Sequence, residues 1–63
     1  MPHRWRSAVK LNHKTGLFRV AVDGQTVGRF EEVELTKRGR SLFRRCTRLD
    51  PKTKETIVRD FPA

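Results

Sequence analysis

Hydrophobic and polar positions alternate over short stretches of this chain, and turn-forming residues separate the stretches. Strand-prone runs that recur at intervals of about 8–12 residues are typical of all-β domains. Asp23-Gly24, between two alternating runs, favours a type I′ hairpin turn, because both central residues of that turn need a positive φ. The pattern therefore predicts an antiparallel meander. Four turn-like segments divide it: residues 13–16, 23–24, 37–40 and 50–54.

The first two runs alternate cleanly enough to predict their register. If Leu11 lies opposite Phe18, the apolar positions of both runs share one face, and Lys10 lies opposite Arg19 on the other face. A shift by one residue would mix the two faces, which a half-buried sheet disfavours. Like charges directly opposite one another are destabilising. An anion bound over Lys10 and Arg19 would offset this cost, and splaying of both side chains into solvent is the alternative.

Two turn segments resemble each other. The run Leu11-Asn12-His13-Lys14-Thr15 is echoed by Leu49-Asp50-Pro51-Lys52-Thr53. An Asn or Asp at the entrance of a turn can accept a hydrogen bond from the backbone two residues further on. We therefore predict the same turn chemistry at both places.

The alternation fails after Phe30. Gly28 predicts a bulge, since glycine inside a strand pattern often marks one. Residues 31–38 form either a sharply bent strand, which we prefer, or a short helical turn that ends at Gly39. Residues 41–49 fit a helix that starts at Ser41, but the hairpin-like loop at 50–54 favours a strand over 43–49.

The expected fold is all-β: one domain over residues 1–63, a five-stranded antiparallel meander that forms a half-open SH3-like barrel, with residues 1–5 and 62–63 frayed. In strand number, length and basicity this plan resembles small SH3-like and Sm-like barrels, including the crenarchaeal chromatin proteins. No shared motif accompanies the resemblance. Open strand edges make an edge-to-edge homodimer an expectation. The predicted core comprises Val9, Leu11, Phe18, Val20, Val22, Val27, Phe30, Val33, Phe43, Ile57 and Phe61.

Composition excludes several classes of protein. The chain has 63 residues, of which 35% are hydrophobic, and this leaves little room for a closed pocket beside a core. Cys46 is the only cysteine, so no intrachain disulfide can form. No apolar run is long enough for a membrane span or a signal peptide. We therefore expect a cytoplasmic protein without membrane association.

Catalytic and metal-binding patterns are missing from the sequence. The possible nucleophiles Ser7, Ser41 and Cys46 have no base at a suggestive spacing, and the histidines are His3 and His13. Zinc-type cysteine and histidine spacings do not occur. We therefore expect no enzymatic activity, no catalytic residue, no metal and no cofactor.

Charge carries the functional prediction. There are 15 Lys+Arg against 7 Asp+Glu, with a formal net charge of +8. A strongly basic small domain, rich in the arginine that grips phosphate through a planar fork, is typical of nucleic-acid binders. We expect a non-enzymatic nucleic-acid-binding protein that contacts mainly phosphates, with DNA ahead of RNA and a regulatory or architectural role. The alternative is a small protein-binding adaptor or inhibitor that docks on a larger complex through a strand edge. The candidate nucleic-acid-binding residues are Arg6, Lys10, Arg19, Arg38, Arg40, Arg44, Arg45 and Arg48, with Trp5 as a stacking residue.

Overall fold

The computed structural model describes residues 6–63, and within this range it consists of six β-strands and no helix. Strands β1, β2 and β3 form one antiparallel sheet, sheet A, and β4, β5 and β6 form a second one, sheet B. The strands are β1 (Ser7–Asn12), β2 (Leu17–Val22), β3 (Gln25–Phe30), β4 (Glu32–Arg38), β5 (Ser41–Leu49) and β6 (Thr56–Pro62).

The predicted all-β class is confirmed, whereas the predicted five-stranded half-open barrel is wrong. The described residues form six strands in two separate three-stranded sheets, and these do not close into a barrel. Local alternation of apolar residues identifies strands, but closure depends on pairing between distant strands, which that pattern does not encode.

The predicted register of the first hairpin is confirmed. Leu11 pairs with Phe18 and Val9 pairs with Val20. The pair between them, Lys10 and Arg19, falls on the opposite face. Asp23 and Gly24, between β2 and β3, have φ values of 54° and 82°. Both are positive, as the predicted type I′ turn requires.

The β1–β2 loop is held by its own side chains. Asn12 Oδ1 accepts a hydrogen bond from the Lys14 N–H (2.9 Å), and Thr15 Oγ1 accepts one from the Leu17 N–H (3.2 Å). The Gly16 N–H donates to the Asn12 carbonyl (2.8 Å), and Gly16 is left-handed with φ 74°.

The β5–β6 loop repeats this arrangement. Asp50 Oδ1 accepts from the Lys52 N–H (2.9 Å), and Thr53 Oγ1 accepts from the Glu55 N–H (3.3 Å). The Lys54 N–H donates to the Asp50 carbonyl (2.8 Å), and Lys54 is left-handed with φ 64°. The prediction of one turn chemistry used twice is therefore confirmed.

A bulge lies in β3. Val20 and Ala21 are consecutive on β2, but they pair with Gly28 and Thr26 on β3, so Val27 is the extra residue. A Cβ atom at Gly28 would lie 2.9 Å from Cε2 of Phe30. Glycine at this position therefore lets the Phe30 ring fold back onto its own strand.

The segments that the sequence left ambiguous are strands. Only Glu31, a bend, separates β3 from β4, so the preferred bent strand is confirmed and the alternative of a helical turn at residues 31–38 is wrong. Residues 41–49 form β5, as preferred, and not a helix. β5 pairs with both β4 and β6, and this pairing satisfies the hydrogen bonds of its backbone. Local propensity alone could not decide between a helix and a strand here.

The core is small and lies between the two sheets. Val20 and Cys46 are fully buried, and Phe30 is 3% exposed. The rings of Phe30 and Phe61 meet edge to face, with centroids 6.1 Å apart. Val9 and Val33 complete the cluster.

Six predicted core residues lie outside this cluster: Leu11 and Val27 are exposed, and Phe18, Val22, Phe43 and Ile57 are half-buried. Leu11 is 39% exposed and Val27 41% exposed. Val27 is the extra residue of the bulge, and Leu11 lies next to the last residue of β1. Residues 62–63 are predicted to fray, but Pro62 lies in β6 and the Ala63 N–H donates to the Leu42 carbonyl (3.0 Å).

Residues 6–63 include no helix long and apolar enough to cross a membrane.

Candidate nucleic-acid interface

Three cationic side chains lie side by side on the outer face of sheet A, the face directed away from sheet B. Lys10 on β1 pairs with Arg19 on β2, and Arg19 pairs in turn with Arg29 on β3. Directly paired residues project from the same face of a sheet, and all three are exposed. The outer face therefore carries a row of three positive charges across its three strands.

This row borders a shallow concavity of about 550 Å³. The β1–β2 loop forms its other side and adds Lys14 and His13. In the part of the chain that the structure describes, no residue that lines it carries a carboxylate. The cations at this surface therefore have no acidic neighbour in the concavity, and an anion that enters it meets only positive or neutral groups.

A second cleft, of about 690 Å³, continues from the first, since Leu17 and Arg29 line both. It adds Arg48 from β5 and Arg59 from β6. Among the described residues, Glu31 is the one carboxylate that lines it, and its Oε1 accepts a hydrogen bond from the Leu49 N–H at 3.0 Å. We call the continuous surface the basic track; it comprises Lys10, Lys14, Arg19, Arg29, Arg48 and Arg59.

The outer face of sheet B is arranged differently. There Glu34, Arg45 and Asp60 form a cross-strand row in which the signs of the charges alternate. Arg45 Nε lies 3.2 Å from Asp60 Oδ1, and Arg38 forms an ion pair with Asp60 Oδ2. The Arg38 guanidinium also lies over the ring of Phe43, 5.4 Å from its centroid. These two arginines are therefore engaged within the protein.

The ion pairs shift the protonation of their members. The hydrogen bond from Arg45 is the main cause that lowers the pKa of the Asp60 carboxyl below its usual value. The charges of Arg45 and Arg38 lower it further, and desolvation partly opposes them. The same hydrogen bond raises the pKa of Arg45. Asp60 is therefore ionised over a wider pH range than an ordinary aspartate.

The residues predicted from sequence fall into three places. Lys10, Arg19 and Arg48 lie on the basic track. Arg38 and Arg45 lie on the outer face of sheet B, in ion pairs with Asp60. Arg6, Arg40 and Arg44 line a third cleft, towards the opposite end of β1 and β5. Trp5 lies outside the described residues.

Sequence reasoning missed Lys14, Arg29 and Arg59. The bulge predicted at Gly28 could have revealed Arg29, because a one-residue correction after the bulge places it opposite Arg19. Lys14 could have been included because its loop directly follows Lys10. Arg59 offered no such signal, since β6 and β5 carry polar residues on both faces.

Residues 6–63 contain no group of three or more His, Cys, Asp or Glu side chains that could hold a metal ion. Cys46 is buried in the core, and this burial raises the pKa of its thiol. A protonated, enclosed thiol is a poor nucleophile.

Comparison of the chain with protein-family models, with curated proteins and with solved structures gives no match.

Proposed function

We propose that this protein is a non-enzymatic nucleic-acid-binding protein that holds the phosphate backbone along the basic track. The observation that carries the proposal is the row Lys10–Arg19–Arg29, in which three exposed cations are direct cross-strand neighbours. Like charges at paired positions destabilise a sheet. A polyanion over the row would convert this repulsion into attraction.

The dimensions of the row suit a nucleic-acid backbone. Neighbouring strands lie about 4.8 Å apart, so three paired residues span about 10 Å. Phosphates follow one another at about 3.4 Å of axial rise per strand in duplex DNA, so the length of the row corresponds to about three steps of axial rise. Arg48 and Arg59 extend the same surface along the second cleft. The track therefore supports binding through phosphates, without readout of base sequence.

The first experiment measures binding of the protein to labelled duplex DNA, single-stranded DNA and RNA between about 50 and 300 mM salt. DNA is the first substrate to test. We expect affinity to fall steeply with salt, because phosphate contacts release counterions. The double variant Arg19→Gln/Arg29→Gln should bind every sequence more weakly and lower the salt slope by about two, one for each contact.

A control variant with the same net charge distinguishes binding at the track from binding that depends only on the basicity of the protein. Lys37→Gln/Arg38→Gln removes two charges from β4, away from the track, and should bind almost as tightly as the parent protein. Equal losses in the two variants would contradict the track as the binding surface. Absence of binding at the lowest salt would contradict nucleic-acid binding itself.

A second candidate function, docking on another protein, is favoured by one observation. Leu35 is 60% exposed and Leu42 is 53% exposed. By register they share the inner face of sheet B, and β4 is an edge strand. A partner strand added along β4 would lie directly beside Leu35. Such binding should survive high salt and be weakened by Leu35→Ser, whereas nucleic-acid binding should not.

A further inference from the structure

A third group of arginines lies away from the basic track. Arg6 precedes β1, Arg40 lies in the β4–β5 turn, and Arg44 lies on β5. Together with Ser7 they line a cleft of about 770 Å³ where the two sheets meet. Among residues 6–63, no residue that lines it carries a carboxylate side chain. The described side chains of the cleft are therefore positive or neutral, and none of them belongs to the track.

Ser7 is the unsatisfied polar side chain of this cleft. The residue is 6% exposed, and its Oγ has no hydrogen-bond partner among residues 6–63. Buried hydroxyl groups are usually hydrogen-bonded, because desolvation without a partner costs free energy. A ligand that accepts a hydrogen bond from this hydroxyl would recover that cost.

Arg44 lies over the same end of β1. Its Nε donates to the Ser7 carbonyl at 3.4 Å, beyond the usual range for such a bond. Within residues 6–63 no other hydrogen bond engages its guanidinium. Arg44 therefore has N–H groups to spare beside Ser7, and an outward swing of its side chain would break only one long hydrogen bond.

We propose that this cleft binds a phosphate group. Arg44 and the Ser7 hydroxyl are the inner donors, and Arg6 and Arg40 hold the rim. Phosphate oxygens accept several hydrogen bonds at once, and the arginine fork matches their geometry. Because Ser7 Oγ is closed to solvent, Arg44 swings outward to admit the phosphate and then grips it. The phosphate belongs either to a free phosphate compound or to the end of a nucleic-acid strand.

The test adds inorganic phosphate to ¹⁵N-labelled protein, with chloride at matched ionic strength as reference. We expect saturable shifts of the Ser7, Ser41 and Arg44 amide signals and a higher melting temperature in phosphate. Ser7→Ala should weaken phosphate binding about tenfold, since it removes a hydrogen bond to a charged group. The same variant should melt higher than the parent without phosphate, because it removes an unpaired buried hydroxyl.

Matched variants keep this test independent of the proposed function. Arg44→Gln should weaken phosphate binding, Arg44→Lys should retain part of it, and Lys52→Gln in the β5–β6 loop should leave it unchanged. The proposal is overturned if chloride causes the same shifts, if the shifts lie on the track, or if Ser7→Ala binds phosphate as the parent does. Loss of nucleic-acid binding in Arg19→Gln bears only on the track.

Two oligonucleotides identify the source of the phosphate. One carries a 5′-phosphate and the other a 5′-hydroxyl, with the same sequence. Tighter binding of the phosphorylated one, lost in Ser7→Ala, assigns the cleft to a strand end. Equal binding of the two, together with the inorganic-phosphate response, assigns it to a free phosphate compound.

Discussion

Each sheet carries a cross-strand row of three charged residues on its outer face, but the two rows differ in the signs of their charges. On sheet A the row is Lys10–Arg19–Arg29, with three like charges, and on sheet B it is Glu34–Arg45–Asp60, with alternating charges. The second row contains its own counter-charges, because Asp60 forms an ion pair with Arg45. Within residues 6–63 the first row forms no ion pair, so a ligand would supply its counter-charge. Net charge therefore identifies this protein as basic, but the cross-strand arrangement distinguishes cations open to a ligand from cations already engaged.

The largest effect is expected when the row on sheet A is given the alternating pattern of sheet B. Arg19→Glu places a carboxylate between Lys10 and Arg29 and should lower nucleic-acid affinity by about tenfold to 100-fold at low salt. Titration of labelled DNA measures the change. Lys37→Glu, with the same change in net charge, is the control, and an equal loss there would remove the distinction between the two faces.

The next effect concerns the core that both faces share. Gly28→Ala brings a Cβ atom to 2.9 Å from the Phe30 ring, and overpacking of this kind costs about 1–3 kcal/mol of the free energy of unfolding. Urea denaturation measures it. In a Phe30→Leu background the added cost should shrink, since the ring is gone. Undiminished cost in that background would mean that the strain arises elsewhere.

A smaller effect concerns stability without ligand. Arg19→Glu should raise the free energy of unfolding by about 0.2–1 kcal/mol, because two like-charge pairs become opposite-charge pairs. The substitution would then stabilise the protein while weakening its binding. Equilibrium unfolding at low salt measures the gain, which should fade at 1 M salt as screening increases. A loss of stability at low salt would show that the three cations do not repel one another.

The smallest effect lies at acidic pH and concerns the row on sheet B. The pKa of Asp60 is lowered in the folded protein, so the carboxylate stabilises the fold above the ordinary aspartate pKa of about 3.9. This stabilisation is lost as pH falls through the lowered value. Asp60→Asn should reduce stability at neutral pH and flatten its decline below about pH 4. Identical acid-unfolding curves for Asp60→Asn and Asp23→Asn would contradict the assignment.

Features that depend on neighbouring residues were predictable from the sequence. Clean alternation in β1 and β2 led to the correct pairing of Lys10 with Arg19, and Asn12 and Asp50 led to the correct turns. These features depend on groups only a few residues apart or on a single hairpin.

Features that depend on distant residues were not predictable. The ion pair between Arg38 and Asp60 joins β4 to β6, and it engages a side chain that the sequence assigned to the nucleic-acid surface. Arg59 joins the basic track only because β6 pairs with β5. The division into two sheets likewise depends on how β3 turns into β4 at Glu31, and nothing local determines whether such a bend closes a barrel.

The matching loops at residues 12–17 and 50–55 are self-contained structural units. Each loop takes its shape from hydrogen bonds within its own six residues and one left-handed position. Such a segment can be moved to another hairpin, because its conformation depends on its own residues. We expect the two segments to be interchangeable between their hairpins, so that the residues presented beside the basic track can be varied without redesign of either sheet.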